Sequence, residues 1–144
     1  MGTLSSAITA SATALSAERT RIEAAVSNLA NAESTRSQNG QPYRRRDVIL
    51  QAEPAGGGFA AAFDRAGAQG VRVARVVEDQ SEFRRRYEPG HPDADADGFV
   101  ALPNVDAPME MVDMIGAARA YQANLAAIGI VRDLVTKALE LGRG

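Results

Sequence analysis

Residues 107–142, APMEMVDMIGAARAYQANLAAIGIVRDLVTKALELG, form one uninterrupted helical pattern. Met111, Met114, Ala118, Tyr121, Leu125, Ile128, Val135 and Leu139 step by three or four residues, with Val131 or Arg132 across the gap, which is the spacing of one helix face. Pro108 falls in the first turn, where its missing N–H is harmless, and Glu110 lies near the positive end of the helix dipole. Gly142 and Gly144 mark the end, and Asp133 with Lys137 makes an i,i+4 pair in the favourable order. At 1.5 Å per residue the helix is roughly 50 Å long. An average globular helix has only about 12 residues. A chain of this size cannot cover such a helix, so apolar surface is expected to remain for other chains.

The N-terminal segment has the same character. Ile8, Leu15, Ile22 and Leu29 fall seven apart from Leu4 to about Asn31, with Ala12 and Val26 between them. Spacing by seven is the seam of a coiled coil. Arg19 interrupts the second row, Thr3 is a candidate N-cap, and Asn28, Asn31, Ser34 and Thr35 form a polar stop before Gly40. This helix is expected to be roughly 40 Å long. The segment between the helices differs. Asp47 to Ala52 carries the run Val48-Ile49-Leu50, Val71-Arg72-Val73 alternates, Phe83, Arg85 and Tyr87 share one parity, and Phe99 to Leu102 is a short apolar run. These predict short strands, with a flexible loop at Gly56-Gly57-Gly58. The expected fold is mainly α with a β insert. A helix in 1–35 pairs as an antiparallel coiled coil with a helix in 105–144, and a β-rich middle occupies 36–104.

Composition removes most chemistry. The chain has 144 residues, no cysteine and one histidine, His91. Disulfides, thiolate catalysis, cysteine-ligated metals and any centre needing two imidazoles are therefore excluded. Sixteen basic and eighteen acidic residues give a net charge of -2, which provides no global attraction for nucleic acid or anionic membrane. Met1 to Ala17 has neither a basic start nor a continuous apolar core, so a cleaved secretory signal is not expected. No run of 18 apolar residues predicts a membrane span. Met1-Gly2-Thr3-Leu4-Ser5-Ser6 fits the myristoylation pattern, but no polybasic second anchor follows.

The remaining constellations are weak as chemistry. Asp93-Ala94-Asp95-Ala96-Asp97-Gly98 resembles the start of an EF-hand loop, but the twelfth position is Asn104 in place of a bidentate Glu. It reads better as a turn whose Asp side chains cap their own backbone. Arg44-Arg45-Arg46 and Arg84-Arg85-Arg86 lie beside Tyr43, Phe83 and Tyr87, yet strand alternation would send successive arginines to opposite faces. Pairing with carboxylates of this or a neighbouring chain fits them better. No nucleophile elbow accompanies His91, and no phosphate-binding glycine loop opens a helix. The sequence is expected to be no enzyme, with no catalytic residue, cofactor or metal.

Specific motifs give the sequence a family likeness. Ser27-Asn28-Leu29-Ala30-Asn31-Ala32-Glu33-Ser34-Thr35 resembles the Ser-Asn-Leu-Ala-Asn-Ala-x-x-Thr signature of rod and hook proteins. Pro42-Tyr43-Arg44-Arg45 follows, then Tyr87-Glu88-Pro89-Gly90-His91-Pro92-Asp93-Ala94-Asp95-Ala96-Asp97-Gly98-Phe99-Val100 and Pro103-Asn104-Val105. Glu110-Met111-Val112-Asp113-Met114-Ile115 and Arg119-Ala120-Tyr121-Gln122-Ala123-Asn124 complete the series. In this order the motifs resemble the flagellar axial proteins, specifically proximal rod proteins of the FlgC type. Departures lie in the Gly56-Gly57-Gly58 loop, Ala60-Ala61-Ala62 and Gln38-Asn39-Gly40-Gln41.

The resemblance implies a structural subunit of the proximal rod, a helical driveshaft in the flagellar basal body that crosses the periplasm and carries motor torque to the hook. Its implied partners are other copies, other rod proteins and, during secretion without a cleaved signal peptide, the flagellar type III export apparatus. No small-molecule substrate, nucleic acid or membrane span is implied. The seam residues Ile8, Leu15, Ile22, Val26, Leu29, Met111, Met114, Ala118, Tyr121, Leu125, Ile128, Val135 and Leu139 are expected to serve assembly. Asn28, Asn31 and Thr35 are expected to fix the turn out of the first helix, and the arginine-rich strands to meet neighbouring subunits. A cytoplasmic coiled-coil module or type III secretion chaperone is the alternative reading, and a calcium-binding module is a third.

Overall fold

The computed structural model describes residues 2–37, 39–54 and 69–142. The glycine loop at Gly56-Gly57-Gly58 and the Ala60-Ala61-Ala62 run lie outside the described residues. Helix α1 spans Gly2–Ala30 and helix α2 spans Ala107–Leu141. Between them lie β1 (Arg46–Pro54), β2 (Gln69–Glu78), β3 (Arg84–Tyr87) and β4 (Phe99–Leu102). The expected architecture of two long terminal helices around a small β middle is present. The helices pack along each other in opposite directions. Asn28 near the end of α1 meets Glu110 in the first turn of α2, and Arg19, further back on α1, lies within electrostatic reach of Tyr121, further along α2. Among the described residues no helix is long and apolar enough to cross a membrane.

Local chemistry explains where the helices begin and end. Asp106 caps α2: its backbone is extended, with φ -99° and ψ 102°, and its carboxylate accepts from the Met109 N–H at 3.2 Å. The Pro in the first turn was legible, but the cap was not. At the other end the Gly142 N–H donates to the Ala138 carbonyl. Helix α1 includes Gly2, so Thr3 lies inside its first turn and not ahead of it as expected. Asn31 closes α1 by donating from its side chain to the Ser27 carbonyl at 2.8 Å, and Ser34 donates to the Asn31 carbonyl.

The strands form two separate antiparallel pairs, β1 with β2 and β3 with β4. Ile49 pairs with Arg75 but Leu50 with Val73, so Ala74 is an extra residue in β2 and the hairpin bends there. That bend accompanies the packing of the β1–β2 hairpin against α1. Thr13 Oγ1 accepts from the Val71 N–H at 3.1 Å, and a Cβ on neighbouring Gly70 would stand 2.9 Å from that hydroxyl. Glycine is what allows the strand so close to the helix. Strand β3 forms where expected, but all four of its residues are exposed, so Arg85 and Tyr87 share no buried face.

The best-buried apolar side chains cluster where the chain passes from β4 into α2: Val100, Leu102 and Val105 are at most 1% exposed. Burying each is worth about 1.5–3 kcal/mol. Along the helices the buried apolar residues are small: Ala17 and Ala25 on α1, and Ala117 on α2. The large side chains of the heptad stripe are less covered within one chain. Leu15, Ile22, Leu29, Met114, Ala118, Tyr121, Ile128 and Val135 are half-buried, whereas Ile8, Val26, Met111, Leu125 and Leu139 are exposed. At 100° per residue Ala17 lies well over a quarter turn from that stripe, whereas Ala25, three residues after Ile22 and four before Leu29, lies along its edge. Helix α1 packs against both α2 and the hairpin, and complete burial requires cover from two sides.

Candidate assembly interface

The residues at the end of α1 build a polar lock that ties together all three parts of the chain. Asn28, 1% exposed, presents its amide into the junction of α1, β1 and α2. Its Nδ2 donates to the Arg46 carbonyl and to Glu110 Oε2, both at 2.9 Å. Its Oδ1 accepts from the Arg46 N–H at 2.9 Å and from the Tyr43 hydroxyl at 3.0 Å. A single side chain thus holds the entry to β1 and the start of α2 at once. Glu110 is 2% exposed, and Arg45 Nε donates to its second oxygen at 2.5 Å. Arg45 also lies 3.6 Å from Asp113 and 3.9 Å from Asp47. Burial alone would lower the Arg45 pKa, but the hydrogen bond and charge of Glu110 outweigh it and hold the guanidinium above its ordinary value. The Arg45 N–H donates to Asn104 Oδ1, and Asn104 Nδ2 donates to the Asp79 carbonyl and the Ser81 hydroxyl. No buried side-chain polar atom among the described residues lacks a partner. Such a network tolerates little change, because each lost member strands another.

A second cluster shapes the acidic turn between β3 and β4. Thr35 Oγ1 donates to Asp93 Oδ2 at 2.8 Å, and Arg36 pairs with the other oxygen of Asp93. His91 Nδ1 accepts from the Asp93 N–H at 3.0 Å, which gives this histidine a structural partner. Asp95 Oδ1 accepts from the Phe99 N–H at 2.8 Å and the Asp97 N–H at 3.0 Å, and Arg85 pairs with Oδ2 at 2.6 Å. The Phe99 N–H foremost, with Arg85 assisting, holds the Asp95 carboxyl below the usual range despite some desolvation. Gly98 has φ +79°, and a Cβ there would sit 3.0 Å from the Tyr87 ring and 3.1 Å from Pro89. Both backbone and space therefore require glycine. Tyr87 and Phe99 meet edge to face with centroids 5.3 Å apart. Asp93 and Asp95 thus spend their oxygens on Thr35, Arg36, Arg85 and the backbone. No group of three or more His, Cys, Asp or Glu among the described residues is arranged to hold a metal.

The arginine triplets are engaged within the chain, with carboxylates of this chain as the sequence allowed, and with its carbonyls and rings. Arg86 pairs with Glu33 at 2.7 Å, and Arg84 lies 3.9 Å from the same carboxylate and donates to the Val105 carbonyl. Arg44 lies over the Phe83 ring and donates to the Asp79 and Ser81 carbonyls, and Arg46 lies over Tyr43. The exposed pairs among these contribute little individually, typically under about 1 kcal/mol.

The motif residues named from the sequence therefore come together in two groups. Asn28, Ser27 and Tyr43 meet in the lock, the hydroxyls of Ser27 and Tyr43 being 3.1 Å apart. Thr35, His91, Asp93, Asp95 and Gly98 meet at the turn, with Pro89 packed beside Gly98 and with Gly90 and Pro92 in the same segment. Asn31 serves the end of α1, while Leu29, Ala30 and Pro42 make no side-chain hydrogen bond. Sequence reasoning missed the Asp106 cap, and it read Glu110 as a helix-dipole acid and motif residue without seeing that it is the buried carboxylate Arg45 pairs with.

Comparison with known proteins bears on this arrangement. A family model described as the flagellar basal body rod FlgEFG protein C-terminal region matches residues 96–141, from the acidic turn through α2. The flagellar basal-body rod protein FlgC of Salmonella typhimurium is 43% identical over 130 residues, covering 90% of this chain and 91% of the relative. The chain belongs to the FlgC family of flagellar basal-body rod proteins. The FlgC protein of Bacillus subtilis is 42% identical with 92% and 94% of the two chains covered, and that of Borreliella burgdorferi 38% identical with 98% and 99% covered. Membership of the FlgC family makes the chain a structural rod subunit and not an enzyme, and it implies assembly with other flagellar proteins. The comparisons give no support to the chaperone or stand-alone coiled-coil reading.

Proposed function

We propose that the chain is a subunit of the proximal rod, stacking with its own copies and with other rod proteins into a helical driveshaft that carries torque across the periplasm to the hook. The observation that carries this reading is the distribution of apolar surface on α2. Val112, Ile115, Leu125, Ile130, Leu134 and Leu139 are each at least half exposed in the single chain, although α2 also buries a face against α1. A helix apolar on two sides needs a neighbour on the second. Repeated heterologous contacts of this kind build an open helical assembly in place of a closed ring. The seam residues Ile8, Val26, Met111, Leu125 and Leu139 would then be covered by neighbouring subunits, with the half-buried remainder completing the inner layer.

The same proposal has the chain reach the rod through the flagellar type III export apparatus, unfolded and with an uncleaved N-terminus. A cysteine-free chain can form no disulfide at any stage, which suits passage through a narrow export channel. Recovery of the chain from purified basal bodies, with N-terminal sequencing of that material, tests both parts. The expected result is co-purification of the full-length chain with its N-terminal residues intact. A chain confined to the cytosolic fraction, or one trimmed at its start, contradicts the proposal.

A further inference from the structure

The helix interface has an unusual weakness that the polar lock is placed to correct. Its fully buried apolar contacts come from Ala17, Ala25 and Ala117, and further alanines such as Ala14, Ala120 and Ala127 lie along both helices. A slip of one turn, about 5.4 Å along the axis, exchanges Ala17 with Ala14 and Ala117 with Ala120, although Ala25 has no alanine one turn away. The sevenfold spacing of Ile8, Leu15, Ile22 and Leu29 repeats itself as well. Apolar packing alone therefore discriminates weakly between neighbouring registers. Asn28 and Glu110 do not repeat. They are the buried polar side chains of the described residues, they come from opposite ends of the chain, and they meet at 2.9 Å. Any slip breaks the bond that a buried amide and a buried carboxylate share and parts the Arg45–Glu110 pair from Asn28, a penalty that contacts between alanines cannot offset. A single buried polar position can fix helix register in this way.

We propose that the contact of Asn28 with Glu110, braced by Arg45, is the register key of this helix pair. The same key orients the β insert, because Asn28 also clamps both backbone polar groups of Arg46 at the entry to β1. Its role is specification of one alignment more than stabilisation. Replacing a buried ion pair with apolar groups often leaves stability intact. Register and stability can thus be separated experimentally.

The native chain lacks cysteine, so spin labels can be attached at Ala12→Cys and Arg119→Cys, both exposed positions. Electron-electron distance measurements on the full-length parent are expected to show one population. In the Arg45→Met/Glu110→Leu chain, which leaves the bonds from Asn28 to Arg46 and Tyr43 in place, the thermal midpoint is expected to stay within a few degrees. A second distance, displaced by about one helical turn, should appear. Glu110→Gln retains an oxygen for Asn28 and should keep the single distance. Where the double variant does not fold, Asn28→Ser, too short to reach Glu110, provides the same readout. A single unchanged distance in the broken-key chain, or two distances in the parent, overturns the proposal.

Discussion

The Asn28→Ala chain is expected to melt about 10 °C below the parent. Asn28 makes four hydrogen bonds, two to the backbone of Arg46, one to Tyr43 and one to Glu110. Its removal takes a bond from four polar groups; the Tyr43 hydroxyl keeps Ser27 and Glu110 keeps Arg45, while the Arg46 N–H and carbonyl lose theirs at about 1–3 kcal/mol for each buried unsatisfied group. Partial relief comes from an adjoining cavity of about 50 Å³, lined by Arg21, Ala25, Asn28, Arg45 and Glu110 among others, with room for water. A net loss of about 3 kcal/mol, at about 2–4 °C per kcal/mol for a chain approaching 150 residues, gives the stated shift. Asn28→Asp should be at least as harmful, since it removes both donors and sets a second carboxylate against Glu110. Asn31→Ala, which removes only a bond to the Ser27 carbonyl in its own helix, should cost much less. Calorimetry on the three chains checks the order, and a shift under about 2 °C for Asn28→Ala would contradict the weight given to the lock.

The Leu125→Asp/Leu139→Asp chain is expected to fold normally and to abolish motility. Both leucines are more than half exposed in the single chain, at 56% and 64%, so replacing them removes little internal packing. In an assembled rod the same positions are proposed to lie against neighbours. An unpaired carboxylate there costs several kcal/mol to bury. At 1.4 kcal/mol per factor of ten, each contact would weaken more than about a hundredfold. A repeated lattice applies that loss at every subunit. Circular dichroism should match the parent, while swimming in soft agar should be lost. Motile cells with normal levels of the variant would show that Leu125 and Leu139 are not assembly contacts.

Much of this fold was legible because its signals are local. The apolar runs Val48-Ile49-Leu50 and Phe99 to Leu102 identified strands from a few adjacent residues, and both long helices followed from periodicity. The unread features depend on distance in the sequence. Glu110 looked like an ordinary first-turn acid because the amide that buries it belongs to Asn28, at the other end of the chain, and the bulge at Ala74 has no glycine or proline to announce it. A heptad reading ranks positions by side-chain size, so it selected Ile8 and Leu15 while complete burial went to Ala17 and Ala25. The arginine triplets show the same limit. Their carboxylate partners Glu33, Asp95 and Glu110 are visible in the sequence, but their pairing is decided by the return of the chain.

A map of the assembled basal body at side-chain resolution tests the central claim most directly. The rod reading predicts this chain in the proximal rod with Leu125, Leu139, Val112 and Ile130 of α2 covered by neighbouring subunits, and with Asn28 still bonded to Glu110 inside each subunit. A map that shows these α2 residues open to solvent, or that lacks the chain from the rod, would contradict it.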